Sequence, residues 1–250
     1  MLYPTDEGDN ELPKNAVDGV SITINPGETL ALVGENGSGK TTLVKLLSGL
    51  YKPDEGEVII GGAHSVTTSD AALFSKTSGV LQNFGRYVLN LDENVRIGEI
   101  GSKQVTTVAM VDADVDFDDD RTFPQGIDTV LSREYDGVEL SGGQWQRIGV
   151  ARGLYRNHEF IVLDEPTSAI DPIEETRMYN KFASLTSGKI AILVTHRLGS
   201  VRIADKIAVM DAGKIVEIGT HETLLANKGK YATMWAAQAE GYTDGVSFLS

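Results

Sequence analysis

The chain has 250 residues, 41% of them hydrophobic and 23% charged, enough to bury a substantial core and ordinary for a globular protein. It contains no cysteine, which excludes disulfides, zinc–thiolate sites and thiol nucleophiles and fits a reducing compartment. With 22 Lys plus Arg against 36 Asp plus Glu, the formal net charge of −14 repels nucleic acid and argues for no nucleic-acid partner, although a local patch of donors can still hold phosphates.

The first ten residues, MLYPTDEGDN, lack the basic start and apolar run of a signal peptide. No apolar stretch approaches the roughly 20 residues that cross a bilayer, so the chain as given reads as soluble or peripheral. Residues 1–15 are polar, with Pro4 and Pro13, and read as a loop. Residues 20–24 (VSITI) and 28–33 (ETLALV) are expected strands, parted by the Asn25-Pro26-Gly27 turn. A helix is expected over 40–50, with Leu43, Val44, Leu46, Leu47 and Leu50 at helical spacing and Gly49 near its stop. A turn from Pro53 to Gly56 leads to a strand at 57–60, and 79–82 (GVLQ) is a further short extended piece.

From about 92 to 140 the chain is rich in Asp, weakly periodic and punctuated by Pro124, Gly126 and Gly137; it reads as a small, mostly helical subdomain inserted into an α/β core. A helix follows at 144–156, then the short apolar run 159–163, which suits a buried parallel strand. After Pro172 come a helix, a strand at 190–194, a short helix near 199–203, and strands at 206–210 and 214–218. Apolar strands alternating with helices indicate an α/β fold, and no internal repeat is visible. The acidic cluster Asp112, Asp114, Asp116, Asp118, Asp119 and Asp120 lacks the Gly and Glu of a calcium loop, where this chain has Phe117 and Phe123; it reads as a solvated helix face or loop.

Residues 34–41, GENGSGKT, satisfy G-x-x-x-x-G-K-[ST] between an apolar strand and an apolar helix. Gly34, Gly37 and Gly39 let the backbone of Glu35, Asn36 and Ser38 bend around phosphates, and the helix that starts there favours an anion. Lys40 is placed for the β- and γ-phosphates and the Thr41 hydroxyl for Mg²⁺, with Thr42 completing the phosphate-binding set. By itself this loop indicates a nucleoside triphosphate, since kinases, GTPases and ATPases all use it. The run FIVLDE at 160–165 ends a buried strand in two carboxylates. Asp164 is a natural Mg²⁺ partner, while Glu165 either handles an attacking water or forms a structural ion pair. His196, after the strand IAILV, and Gln82, after GVL, each admit a structural role or a contact with the phosphates, the metal or the water.

The string LSGGQWQR at 140–147, together with the phosphate loop, resembles the nucleotide-binding domain of ATP-binding cassette (ABC) transporters of exporter type, over nearly the whole chain. The resemblance implies an α/β P-loop NTPase (RecA-like) core with an antiparallel β subdomain and a helical subdomain at about 84–157, in one domain spanning 1–250. It implies Mg²⁺-dependent ATP hydrolysis that powers export by ATP-driven head-to-tail dimerisation. Leu140, Ser141, Gly142, Gly143 and Gln144 of one domain would close over ATP held by Lys40 of a second, identical or different. On the same basis Gln82 is the Q-loop glutamine and a metal contact, Asp164 the Walker B residue, Glu165 the general base, His196 the switch histidine and Asp171 the D-loop aspartate.

Tyr3 resembles the aromatic that stacks on adenine, with a chance aromatic as its rival. So little precedes it that a truncated product with weakened adenine binding is expected. Asn83, Phe84 and Tyr87 would lie near the surface that receives a transmembrane domain, with core packing as the alternative for the two aromatics. That domain would be fused upstream or encoded separately, placing this chain peripherally at the cytoplasmic face. Two rivals remain: a soluble ABC ATPase without a membrane partner, and a non-catalytic ATP-gated dimerisation module.

Overall fold

A computed structural model describes residues 15–81, 84–164 and 172–244. In chain order the elements begin with β1 (Thr29–Gly34), α1 (Lys40–Leu47), β2 (Ile59–Ile60), β3 (Ala63–His64), α2 (Asp70–Phe74) and β4 (Thr77–Val80). Next come α3 (Leu91–Arg96), α4 (Thr106–Asp112), α5 (Gly142–Tyr155), β5 (Phe160–Asp164) and α6 (Pro172–Leu185). The series ends with β6 (Ile190–Val194), β7 (Lys206–Asp211), β8 (Lys214–Gly219), α7 (His221–Ala226) and α8 (Lys230–Asp244). The fold is the expected P-loop, RecA-like α/β core with mixed strands and helical insertions. The chain divides into two compact units, Met1–Ser75 with Ile190–Ser250, and Lys76–Lys189.

In the first unit the strands run in the order β6-β1-β7-β8. β1 pairs in parallel with β6 and β7, and β8 closes antiparallel on β7. Every residue of β1 is buried, as expected for a continuous apolar run in the middle of a parallel sheet. Ala31 and Val33 share one core with Leu198, Val201, Ile207, Val209, Leu224 and Tyr231, so α7, α8 and the 3₁₀ turn Leu198–Ile203 cover that face. Strand alternation sends Leu30 and Leu32 to the opposite face, and α1 packs against β1 and β6. The β7–β8 hairpin turns on Ala212 and Gly213, both at positive φ (45° and 82°), the backbone that a two-residue turn of this twist needs.

Two segments expected as strands differ in the structure. Residues 20–24 pair with no strand among the described residues; Val20, Ile22 and Ile24 are only half-buried, so the alternating pattern is kept without a ladder. The strand expected at 57–60 is reduced to Ile59–Ile60, paired with Ala63–His64. Among the described residues, the antiparallel β region before β4 is this one short hairpin.

In the second unit β4 and β5 pair in parallel, Thr77 opposite Phe160 through Val80 opposite Leu163. Helix α5 packs on β4 and on α3 and α4. A Cβ on Gly153 would meet the Val80 side chain at 2.8 Å, so the missing side chain is what lets α5 approach the strand. Asn94 is fully buried and satisfied, its amide donating to the carbonyls of Tyr87, Leu89 and Asn90. In the acidic stretch, Asp114 pairs with Lys181 at 2.5 Å. Asp119 accepts from the Thr122 hydroxyl at 2.8 Å and the Arg121 N–H at 3.2 Å, bonds that lower its pKa, the Thr122 bond most. Among the described residues no group of three His, Asp or Glu side chains is placed to hold a metal ion, and no helix is long and apolar enough to cross a membrane.

Candidate functional site

β1 delivers the chain to Gly34 at the carboxyl edge of its sheet, and α1 begins at Lys40. The loop between them depends on its glycines. Gly34 (φ 152°) has no room for a Cβ, which would collide with the Met210 carbonyl oxygen and sit 2.7 Å from the Ser38 hydroxyl. Gly39 (φ 101°) would collide with the Ala16 carbonyl oxygen, while Gly37 (φ 79°) has open space but a left-handed backbone. The hairpin turn supports the loop from behind, with the Gly213 N–H donating to the Ser38 carbonyl at 3.0 Å.

Inside the loop, Lys40 is 6% exposed and its Nζ donates to the carbonyls of Gly34 (2.9 Å) and Glu35 (3.0 Å). The lysine is thus folded back over the concavity that its own backbone forms. The Ser38 hydroxyl is buried without a hydrogen-bond partner among the described residues. Helix α1 starts at a glycine that offers no side-chain cap, leaving its first turn suited to an anion. Glu35, Asn36 and Gly37 are exposed at the loop tip, Thr41 is exposed in the first turn of α1, and Thr42 is buried. The loop fits a polyphosphate on these observations: a buried cation, an orphaned hydroxyl and a helix start around one bend.

β6 runs parallel to β1 with Leu32 opposite Val194, so the segment Thr195–His196 leaves the sheet at the same carboxyl edge as the phosphate loop. His196 is exposed there. The Arg197 N–H donates to the Thr195 hydroxyl at 3.0 Å. The His196 carbonyl also accepts from Gln238, 42 positions away on α8, a residue without a motif of its own in the sequence. Lys230, at the start of α8, reaches Asp211 at 2.8 Å and Glu35 of the phosphate loop at 3.5 Å, and its pKa is raised chiefly by the bond to Asp211.

In the second unit Asp164 ends β5 at the carboxyl edge of the β4–β5 pair and is 2% exposed. Its carboxylate is a hard oxygen donor, the chemistry that Mg²⁺ takes. The LSGGQ string starts helix α5. Leu140 is buried and anchors it, while Ser141 and Gly142 are exposed and Gly143 and Gln144 half-exposed. Ser141 is the N-cap: its Oγ accepts from the Gln144 N–H at 3.3 Å, and Gln144 Oε1 accepts from the Ser141 N–H at 2.8 Å. The acceptor role leaves the Ser141 O–H available to donate, beside the positive end of a 14-residue helix.

Phe84 is half-buried with its ring against α5, where a Cβ on Gly149 would meet it at 3.2 Å. Tyr87 is exposed, with the Arg152 guanidinium 4.9 Å from its ring centre. Arg152 also donates to the carbonyls of Asn94 (2.8 Å) and Gly85 (3.0 Å), fixing the segment from Phe84 to Tyr87 on the helix. Burial disfavours the charged form of Arg152 and lowers its pKa from the usual arginine value. Tyr3, Gln82, Asn83, Glu165 and Asp171 lie outside the described residues.

Comparison with known proteins gives a consistent result. The family model described as ABC transporter matches residues 17–168. A subtilin transport ATP-binding protein from Bacillus subtilis is 40% identical over 238 residues, covering 94% of this chain and 38% of that protein. An ATP-dependent lipid A-core flippase from Alkalilimnicola ehrlichii is 38% identical over 225 residues, covering 89% of this chain and 38% of its own length. Among solved structures, a bacterial Atm1-family ABC exporter with ATP bound superposes with a TM-score of 0.81 at 31% identity, over 93% of this chain and 40% of that one. The chain therefore spans well under half the length of these relatives.

Proposed function

The chain belongs to the ABC transporter family, and from that premise we propose that it is a nucleotide-binding domain whose Mg²⁺-dependent ATP hydrolysis, in a head-to-tail dimer, powers export across a membrane. The observation that carries the proposal is the phosphate loop, with Lys40 buried against the loop carbonyls and the buried Ser38 hydroxyl without a partner among the described residues. The similarity to the Atm1-family ABC exporter supports the direction of transport.

In this reading Lys40 exchanges the carbonyls of Gly34 and Glu35 for the β- and γ-phosphate oxygens, while the loop N–H groups and Ser38 hold the rest of the polyphosphate. Mg²⁺, ligated by Thr41, Asp164 and Gln82 directly or through water, would offset the phosphate charge. Glu165 accepts a proton from the attacking water, and His196 orients the γ-phosphate. Ser141 and Gly143 of the second domain donate to that γ-phosphate, Asp171 contacts the opposite subunit, and Tyr3 stacks on adenine. Loss of the γ-phosphate removes what the cross-domain donors hold, so the dimer opens.

Opening passes to a transmembrane partner along Gln82, Asn83, Phe84 and Tyr87. The domain covers residues 1–250, with its helical subdomain at about 84–157, and works peripherally at the cytoplasmic face.

Phosphate release from purified chain and ATP tests the proposal. Release should require Mg²⁺ and stop on chelation, while ATP analogue binding persists in weakened form. ATP-dependent dimerisation with no release above background would leave only a gating module. Release unaffected by chelation would contradict the metal assignment.

A further inference from the structure

The switch histidine is held by an element far from it in sequence. His196 and Leu198 flank Arg197 between β6 and the 3₁₀ turn Leu198–Ile203. The amide of Gln238 bonds to both flanks: Oε1 accepts the Leu198 N–H at 2.8 Å, and Nε2 donates to the His196 carbonyl. The reverse orientation of the amide would set donor against donor and acceptor against acceptor, so the two partners fix it. Together the bonds restrain the peptide planes on both sides of Arg197, which sets where the His196 side chain leaves the backbone.

Such a clamp positions only if its own helix is fixed, and α8 is. The Glu217 carboxylate accepts the N–H groups of Lys230 (2.6 Å) and Tyr231 (3.0 Å) at the helix start. Tyr231 is fully buried in the core, and its hydroxyl lies 2.7 Å from His221 Nδ1. Lys230 reaches Asp211 and Glu35. About two helical turns separate Lys230 from Gln238. One helix thus reaches the phosphate loop from its first residue and the histidine segment from a residue about two turns further along.

We infer that Gln238 is a positioning residue for His196, and that α8 braces the histidine segment against the phosphate loop. The inference rests on the reading of His196 as the residue that orients the γ-phosphate. A surface amide with no such role would leave turnover and loop protection unchanged when removed.

The test uses the full chain with Gln238→Leu, which keeps the bulk of the side chain and removes both bonds. Turnover should fall about tenfold while KM for ATP stays within about twofold. Hydrogen exchange at the Leu198 amide should speed up. In a His196→Ala background Gln238→Leu should lower turnover no further, because its effect passes through the histidine. Gln238→Glu, which keeps an acceptor for Leu198 but no donor for His196, should give intermediate turnover with the Leu198 amide still protected, and it carries the test if the leucine variant folds poorly. Unchanged Leu198 exchange, or an equal loss of turnover in the two backgrounds, overturns the inference. If His196→Ala alone leaves turnover intact, the assignment of His196 fails instead, and Leu198 exchange still reports whether Gln238 holds the loop.

Discussion

Lys40→Ala should weaken ATP binding by two to three orders of magnitude and bring hydrolysis to background. Lys40 is 6% exposed and its ammonium donates to two backbone carbonyls, so it would meet phosphate in a place where water screens little. Removing one partner of a buried, hydrogen-bonded charge pair costs about 2–5 kcal/mol, or roughly 30- to 5,000-fold in affinity. The fold should tolerate the change. Glu35 is exposed and its carbonyl can turn to water, while β1 and α1 keep their own backbone bonds. Lys40→Arg should restore little, because a planar fork does not replace a compact ammonium at this bend. Titration with a fluorescent ATP analogue reads the effect; wild-type affinity in Lys40→Ala would show that the loop does not grip the triphosphate.

Glu165→Gln should separate binding from turnover. A general base contributes about 10²- to 10⁴-fold, so steady-state hydrolysis should fall at least about a hundredfold while ATP still binds. With hydrolysis blocked, the γ-phosphate stays and the closed dimer should accumulate, visible as an ATP-dependent shift in size-exclusion chromatography. Asp164→Asn should behave differently, since it replaces an anionic carboxylate with a neutral amide and should raise the Mg²⁺ concentration that hydrolysis needs. An unchanged hydrolysis rate in Glu165→Gln would mean that this carboxylate is a structural partner.

The contrast between legible and hidden features has a physical basis. Buried parallel strands announce themselves as unbroken apolar runs: β6 spans 190–194 as expected, and β5 and β1 differ by a residue or so at their ends. The run at 20–24 has an equally good alternating pattern, but alternation encodes only which side chains face inward and cannot supply a neighbouring strand. Helix α5 starts at Gly142 rather than 144 because Ser141 and Gln144 close a capping box, a signal already written in the S-x-x-Q spacing. The phosphate loop and the LSGGQ string are legible as candidate motifs because one bend of backbone builds each. The hold of Gln238 on His196 is not, since a side chain bonding to backbone 42 positions away leaves no periodic trace. Likewise the seating of Phe84 over Gly149 becomes visible only once α5 is packed.

Cross-domain sealing is tested most directly by mixing chains that carry Lys40→Ala with chains that carry Ser141→Ala and measuring ATP hydrolysis. Each preparation alone should be inactive, because every site in it carries a defect. If the phosphate loop of one copy works with Ser141 of the other, a mixed dimer gathers both defects in one site and leaves the second intact, and hydrolysis returns on mixing. If mixed dimers form and hydrolysis stays at background, each chain's serine serves its own phosphate loop, and the head-to-tail account is contradicted.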